Sequence, residues 1–257
     1  MTPNLLVLGG TTEATALAVA LGARGIRGTF SYAGRVGNPK PQPLPTRVGG
    51  FGGIDGLADW ITAQTITHVI DATHPFAAQM SAHALAACHR TGIPLAALTR
   101  PPWPETPQDR WHHVPDIAGA VAALGDEPRR VMLAIGRMHL DDFARAPQHF
   151  YLLRLVDPPD FPLPFPDCAV EVSRGPFTEA EDRALMQRHR IDLIVSKNSG
   201  GSGARAKIDA ARTLGLPVVM IDRPALPDRT EFHSVDDLLH WLAHPAALSG
   251  ATTLRGV

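Results

Sequence analysis

The chain predicts an α/β protein built from two Rossmann-like domains with parallel sheets, related by an internal repeat. Short apolar runs, beginning with Leu5-Leu6-Val7-Leu8, alternate with alanine-rich or amphipathic stretches of helical length, the pattern of βαβ units with a covered sheet. Glycine-rich turns close several runs, where a strand must turn sharply into a helix. The stretch 92–101 matches 215–224 position for position (Gly, aliphatic, Pro, aliphatic, two small or apolar residues, aliphatic, any, Arg, Pro), and 111–117 resembles 232–238. Both offsets are a little over 120 residues, close to half the chain. The expected division is therefore 1–120 and 121–257, with a ligand cleft between the halves.

The elements follow in order. The run 5–8 is too short for a helix and reads as the first strand; Gly9-Gly10 turns it, and Thr11-Thr12 caps a helix to Leu21. Strands follow at 26–33 and 47–48, a helix at 56–64, a strand at 67–71, a helix at 76–90 and a strand within 92–101. In the second half, strands read at 130–135, 150–156, 169–172 and 192–196, with helices at 178–190 and up to Leu214. Prolines cluster at 39–45, 101–107 and 158–166, which fits rigid loops, not central strands.

Composition narrows the function classes. Apolar residues make up 44% of the 257 and charged residues 19%, as in an ordinary globular protein. A net charge of −1 gives no global field to draw nucleic acid or an anionic membrane, so an anionic ligand must be held by local arginines. Cys88 and Cys168 stand in no metal-ligand spacing, and the twelve histidines show no H-E-x-x-H, so no metal is expected. Cysteine usage, the lack of a basic leader and the absence of a long apolar run point to the cytoplasm.

The first loop carries the strongest chemical signal. A helix N-terminus after a glycine turn presents N–H groups and about half a positive charge to an anion, so Gly9, Gly10, Thr11, Thr12 and Glu13 are candidate cofactor residues. The third glycine of G-x-G-x-x-G is missing, and Glu13 would repel a pyrophosphate directly on it, which suits a ribose or nicotinamide contact instead. After the second strand, Gly34-Arg35 stands where NAD-binding folds carry an acid; an arginine there accommodates a 2′-phosphate and points to NADP(H), a surface arginine being the plainer reading.

Further along, Thr73-His74-Pro75 ends a strand at the sheet edge where such folds carry function, and His74 is the candidate proton donor, a structural histidine being the alternative. Lys197 to Gly203 imitates a phosphate loop. Against the Walker pattern, however, Ala206 replaces a glycine and Ile208 the hydroxyl, leaving a glycine turn able to cup an anion. Arg100, Arg137, Arg154, Arg174 and Arg223 lie near strand ends; clustered in one cleft they would suit a polycarboxylate.

Six blocks, in order over 4–224, resemble the precorrin-6A reductase family: Leu8-Gly9-Gly10-Thr11-Thr12-Glu13, Ala33-Gly34-Arg35, Arg47-Val48-Gly49-Gly50-Phe51-Gly52-Gly53, Ile70-Asp71-Ala72-Thr73-His74-Pro75-Phe76-Ala77, Arg174-Gly175-Pro176-Phe177 and Lys197-Asn198-Ser199-Gly200-Gly201. The resemblance implies two Rossmann-like domains. It also implies an NADPH-dependent step of cobalamin biosynthesis, hydride and proton addition across one double bond of precorrin-6A to give precorrin-6B. Carried onto this chain, Gly9 to Glu13, Gly34, Arg35, Ser199, Gly200 and Gly201 belong to the cofactor site, and Thr73, Arg137, Arg174, Lys197 and Asn198 face a carboxylate-rich macrocycle. Two rivals remain at this stage: a cobalt-precorrin-6A reductase and a non-catalytic NADP(H)-binding protein. A short-chain reductase lacks its Tyr-x-x-x-Lys pair here, because Val36 and Leu155 stand four residues after Tyr32 and Tyr151. Oligomeric state is not encoded in these motifs.

Overall fold

Four consecutive apolar residues with no polar face suit a strand covered from both sides, and they form the centre of the first sheet: β1 (Asn4–Leu8) is fully buried from Leu5 to Val7. The computed structural model describes residues 2–34, 41–159, 161–173 and 175–244. After β1 come α1 (Thr12–Ala23), β2 (Arg27–Tyr32), β3 (Thr46–Val48), α2 (Gly53–Ala63), β4 (His68–Asp71), α3 (Ala78–Thr91) and β5 (Leu95–Leu98). The second series is β6 (Trp111–Val114), α4 (Ile117–Ala122), β7 (Arg130–Ala134), a 3-10 turn at Arg137–His139, α5 (Leu140–Phe143), β8 (Phe150–Leu155), β9 (Cys168–Val172), α6 (Glu179–Arg188), β10 (Leu193–Lys197), α7 (Ala206–Leu214) and β11 (Val218–Ile221). β12 (Thr230–Phe232) and α8 (Val235–Ala243) end the described chain.

Two parallel six-stranded sheets result, ordered β12-β5-β4-β1-β2-β3 and β6-β11-β10-β7-β8-β9. Strand for strand they are the same: β7 takes the place of β1, β10 that of β4, and β6 that of β12. The two expected Rossmann-like domains and the internal repeat are both present. In each sheet the order reverses between two neighbours, β1 and β4 in one, β7 and β10 in the other. Ligands of open α/β sheets bind outside the carboxyl ends of the strands at such a point.

The domain boundaries need correction. The chain divides into Met1–Arg100 with Ala225–Val257, and Pro101–Pro224, not at 120/121. Both crossings fall on the repeated Arg-Pro pairs, Arg100-Pro101 and Arg223-Pro224. Proline donates no backbone N–H, so β5 and β11 end and the chain leaves the sheet. Each half then gives its last strand and helix to the other unit: β6 pairs with β11 from Trp111 opposite Val218, and β12 with β5 from Thr230 opposite Ala96.

The exchanged pieces complete the cores. Leu238, Leu239 and Leu242 of α8 pack with Leu17 and Leu21 of α1 over one face of the first sheet. Burying each such leucine contributes about 1.5–3 kcal/mol. Leu57 and Ile61 of α2 with Ala84 and Ala87 of α3 cover the other face. In the second unit Leu185, Met186, Ile208 and Ala211 cover Met132, Ile194 and Met220.

Candidate functional site

In the first unit the order reversal brings two of the sequence-derived motifs together. Thr11 caps α1 by accepting from Ala14 N at 3.1 Å, and its hydroxyl donates to the carbonyl of Ala72 at 2.9 Å, joining the turn after β1 to the turn after β4. The Thr11 hydroxyl therefore has a structural task. The two glycines differ. A Cβ on Gly9 would stand 2.2 Å from two ring atoms of Phe30, so packing requires this glycine, whose N–H also bonds Ser31 O at 2.9 Å. Gly10 has φ +129° with nothing within 4 Å of a Cβ, so its backbone faces open space beside the first turn of α1. That is the arrangement a phosphate group needs.

Glu13 is not a bare negative charge. Arg100, the last residue before the crossing, bonds both its oxygens, at 3.1 and 3.3 Å, and Thr12 Oγ1 lies 3.1 Å away. Burial alone would raise the pKa of Glu13. A bond from its own backbone N–H, the Arg100 charge and the Thr12 hydroxyl outweigh burial and hold it below the usual carboxylate range. The repulsion expected from this residue is thus largely neutralised. Gly34 (φ +79°) ends the β2 segment against Gly49. Arg35, the expected 2′-phosphate reader, and Arg174 lie outside the described residues.

The turn after β4 is fixed by a buried carboxylate that sequence reasoning missed. Asp71, 3% exposed, accepts from Thr73 N at 3.1 Å and Thr73 Oγ1 at 2.6 Å on one oxygen, and from Ser81 Oγ and Arg229 Nη1, both at 2.6 Å, on the other. Arg229 comes from the segment that returns after the second crossing. The carboxylate therefore ties the Thr73 turn, α3 and the exchanged segment to one point. His74 is exposed just beyond it. Phe76 N–H donates to Nδ1 at 3.2 Å, which in the neutral ring leaves the proton on Nε2. Arg47 is another unforeseen residue: it donates to Ser31 Oγ and to the carbonyls of Gly49 and Gly50, each at 2.9 Å, and stacks 3.8 Å over Phe51, ordering the glycine cluster.

In the second unit, the reversal between β7 and β10 brings Gly136-Arg137 beside Lys197 and the Asn198–Gly201 turn. Arg137 is exposed and opens the 3-10 turn. Several residues of the turn are occupied. The side chain of Asn198 accepts from Trp103 N at 2.8 Å and donates to Trp103 O at 3.2 Å. Arg223 donates to the carbonyls of Asn198 at 3.0 Å and Ser199 at 3.1 Å. Trp103 Nε1 donates to Gly201 O at 2.6 Å. A Cβ on Gly200 would lie 2.0 Å from Pro101 O. Gly200 is explained by packing on the Pro101–Trp103 segment. Arg100 and Arg223 likewise hold protein groups, a role the sequence did not show, because their partners are distant in the chain. Among the described residues no group of three His, Cys, Asp or Glu side chains could hold a metal, and no helix is long and apolar enough to cross a membrane.

Comparison with known proteins adds independent evidence. The family model CbiJ, described as precorrin-6x reductase CbiJ/CobK, matches residues 4–243. The precorrin-6A reductase of Rhodobacter capsulatus is 57% identical over 99% of this chain and 99% of its own. A solved structure, CobK precorrin-6A reductase, superposes with a TM-score of 0.89 at 56% identity, covering 99% of this chain and 100% of the other. The cobalt-precorrin-6A reductase of Priestia megaterium is 27% identical over 93% of this chain and 98% of its own. With its two repeated sheets and these matches along nearly the whole chain, this chain belongs to the precorrin-6x reductase family and is an oxidoreductase.

Proposed function

We propose that the protein is a precorrin-6A reductase that takes its hydride from NADPH, in the cobalamin pathway and in the cytoplasm. The carrying observation is the carboxyl edge of the first sheet. There the open Gly10 backbone, the N-terminus of α1 and the Asp71-fixed Thr73–His74 turn meet at the order reversal. These residues fit a dinucleotide: Gly10 and the first turn of α1 for the phosphates, Glu13 for a hydroxyl or amide group, and Gly34-Arg35 for the 2′-phosphate. When bound, the cofactor supplies the hydride, and the protein orients the two partners. His74, with Nδ1 held by Phe76 and the proton on Nε2, is the group set to orient the macrocycle or give it a proton. Arg137, Arg174 and Lys197 offer cations for its carboxylates. The cobalt-free substrate is favoured by 57% identity to a precorrin-6A reductase against 27% to a cobalt-precorrin-6A reductase.

Steady-state oxidation of NADPH and NADH tests this, with precorrin-6A and its cobalt-bearing analogue as substrates. The wild type is expected to turn over precorrin-6A with NADPH, and His74→Ala to lower kcat at least tenfold. Arg35→Ala should raise KM for NADPH far more than for NADH. No oxidation dependent on added tetrapyrrole would refute the reading. Equal effects of Arg35→Ala on both nicotinamides would remove Arg35 from it.

A further inference from the structure

From β3 inward, the first sheet is ordered β3-β2-β1-β4-β5-β12, a dinucleotide-binding order whose sixth strand comes from the returning segment. In such folds β1 to β3 serve the nucleotide whose ribose is read at the end of β2. The other half, β4, β5 and β12, then serves the reacting nucleotide. His233 directly follows β12 and stands at the carboxyl end of that half.

The protein fixes its ring. Nδ1 lies 2.8 Å from the carbonyl of Thr99, and a carbonyl only accepts, so Nδ1 carries the proton. Thr99 N–H in turn donates to Phe232 O at 2.9 Å, which pins the backbone beside the ring. His233 is exposed, and Nε2 has no partner among the described residues. His74, on the same edge after β4, is the opposite case, because its Nδ1 accepts from Phe76 N–H at 3.2 Å. Protonating that nitrogen would set two N–H groups against each other. His233 instead takes a proton on Nε2 and keeps its bond to Thr99. In the second unit His113 also reaches the residue after the fifth strand, but carboxylates flank both its nitrogens, Asp222 at 2.7 Å and Glu105 at 3.4 Å. The charged groups on the elements that meet at His233 are Arg100, held by Glu13, Arg229 and Glu231, paired with each other, and Asp236 and Asp237 of α8. None of them pairs with the ring among the described residues.

We propose that His233 is the acid of the reduction and gives the proton from Nε2, while His74 orients the macrocycle through its Nε2–H. The inference rests on the macrocyclic substrate and the NADPH proposed above. Hydride adds to one carbon of the double bond. The Nε2–H bond breaks with its electron pair left on nitrogen, and the new C–H bond forms at the other carbon. The macrocycle gains two electrons, NADPH loses them, and the exposed ring regains its proton from water.

His233→Asn keeps an N–H where Nδ1 stood, and His233→Ala removes both nitrogens. After circular dichroism has verified folding, both are expected to lower kcat for precorrin-6A about a hundredfold or more, the usual worth of a general acid. The dissociation constant of NADP+, titrated without substrate, should stay within about twofold in both. The wild-type kcat should fall toward alkaline pH, a limb that His233→Asn abolishes and His74→Gln retains. Long-range 1H–15N spectra of the ligand-free protein should show the neutral His233 ring with its proton on Nδ1. Wild-type kcat in His233→Asn would mean that the ring only caps Thr99, and weaker NADP+ binding that matches the loss of kcat would make it a cofactor contact; either overturns the proposal. So do a wild-type kcat that is flat toward alkaline pH, an alkaline limb lost with His74 instead, and a proton on Nε2. Failure of the underlying reading looks different, since the wild type itself would then not turn over precorrin-6A.

Discussion

In the first unit β1 runs through Gly9 and Gly10 into the twelve-residue α1, whereas in the second β7 runs through Ile135 and Gly136 into a 3-10 turn and the four-residue α5. Strand order is the same in both, so the difference lies in what each sheet edge offers an anion. α1 presents free peptide groups and a macrodipole; α5 aligns too few peptides for that, and the second edge instead carries the side chains of Arg154 and Lys207. The repeated arginines diverge as well: Arg100 neutralises Glu13, while Arg223 braces two carbonyls of the turn after β10.

The largest expected effects come from the buried ion pair of each unit. Asp71 keeps its Thr73 and Ser81 donors when Arg229 is removed, whereas Asp182 bonds only Arg154 among the described residues. Arg154→Ala should therefore cost about 3–5 kcal/mol of stability, the range for stranding a buried charge. Arg229→Ala should cost about 1.5–3 kcal/mol, the worth of one hydrogen bond to a charged group. Denaturant titration of both variants decides the order, and equal losses would show that the two carboxylates are equally well satisfied.

The glycines give the next contrast. Gly9→Ala drives a methyl into the Phe30 ring and should cost about 1–3 kcal/mol as overpacking. Gly10→Ala meets open space but strains a backbone with φ +129°, at a cost of about 1–3 kcal/mol, and it obstructs the backbone proposed above to face the cofactor. Its expected signature is a raised KM for NADPH in a protein that still folds. In the second unit Gly136→Ala (φ +76°, also open) should leave that KM unchanged. If Gly10→Ala leaves it unchanged too, the backbone cradle is not where the phosphates sit.

Most of the sheet framework was legible because it is local. The apolar runs became β1, β4, β7 and β10 within two residues of their expected bounds, and the repeat correctly announced two matching sheets. The exchange between units was not legible. Trp111-His112-His113-Val114 and Thr230-Glu231-Phe232 are short and half-polar, as edge strands are, and nothing local says which sheet they join. The site was read more coarsely for the same reason. Gly200 follows the expectation for a phosphate loop, yet its need arises from Pro101, 99 positions away. Arg229 sits in a proline-rich coil 158 residues from Asp71 and carries no motif. Contacts of such separation leave no trace in periodicity.

The smallest effect separates the units by pH. The residue just before the second strand is Ile26 in the first unit, partly buried in the core, and His149 in the second, with no exposed surface. His149 Nδ1 accepts from Arg129 N at 3.1 Å, and Nε2 has no partner among the described residues. Burial pushes its pKa below the ordinary imidazole value; the Arg129 charge adds to this, and the Gly125 backbone, Asp192 and Asp126 oppose it. The folded protein therefore binds this proton less readily than the unfolded chain, whose histidine titrates near 6.5. Stability from this site is complete above that pH and falls as pH drops through it, because the unfolded state gains the proton first. Acidification from neutrality to about pH 5 should lower Tm by a few degrees more in the wild type than in His149→Leu. Parallel Tm curves for the two proteins would mean that the acid sensitivity of the second unit comes from elsewhere, and that its extra histidine is as neutral to pH as the isoleucine it parallels.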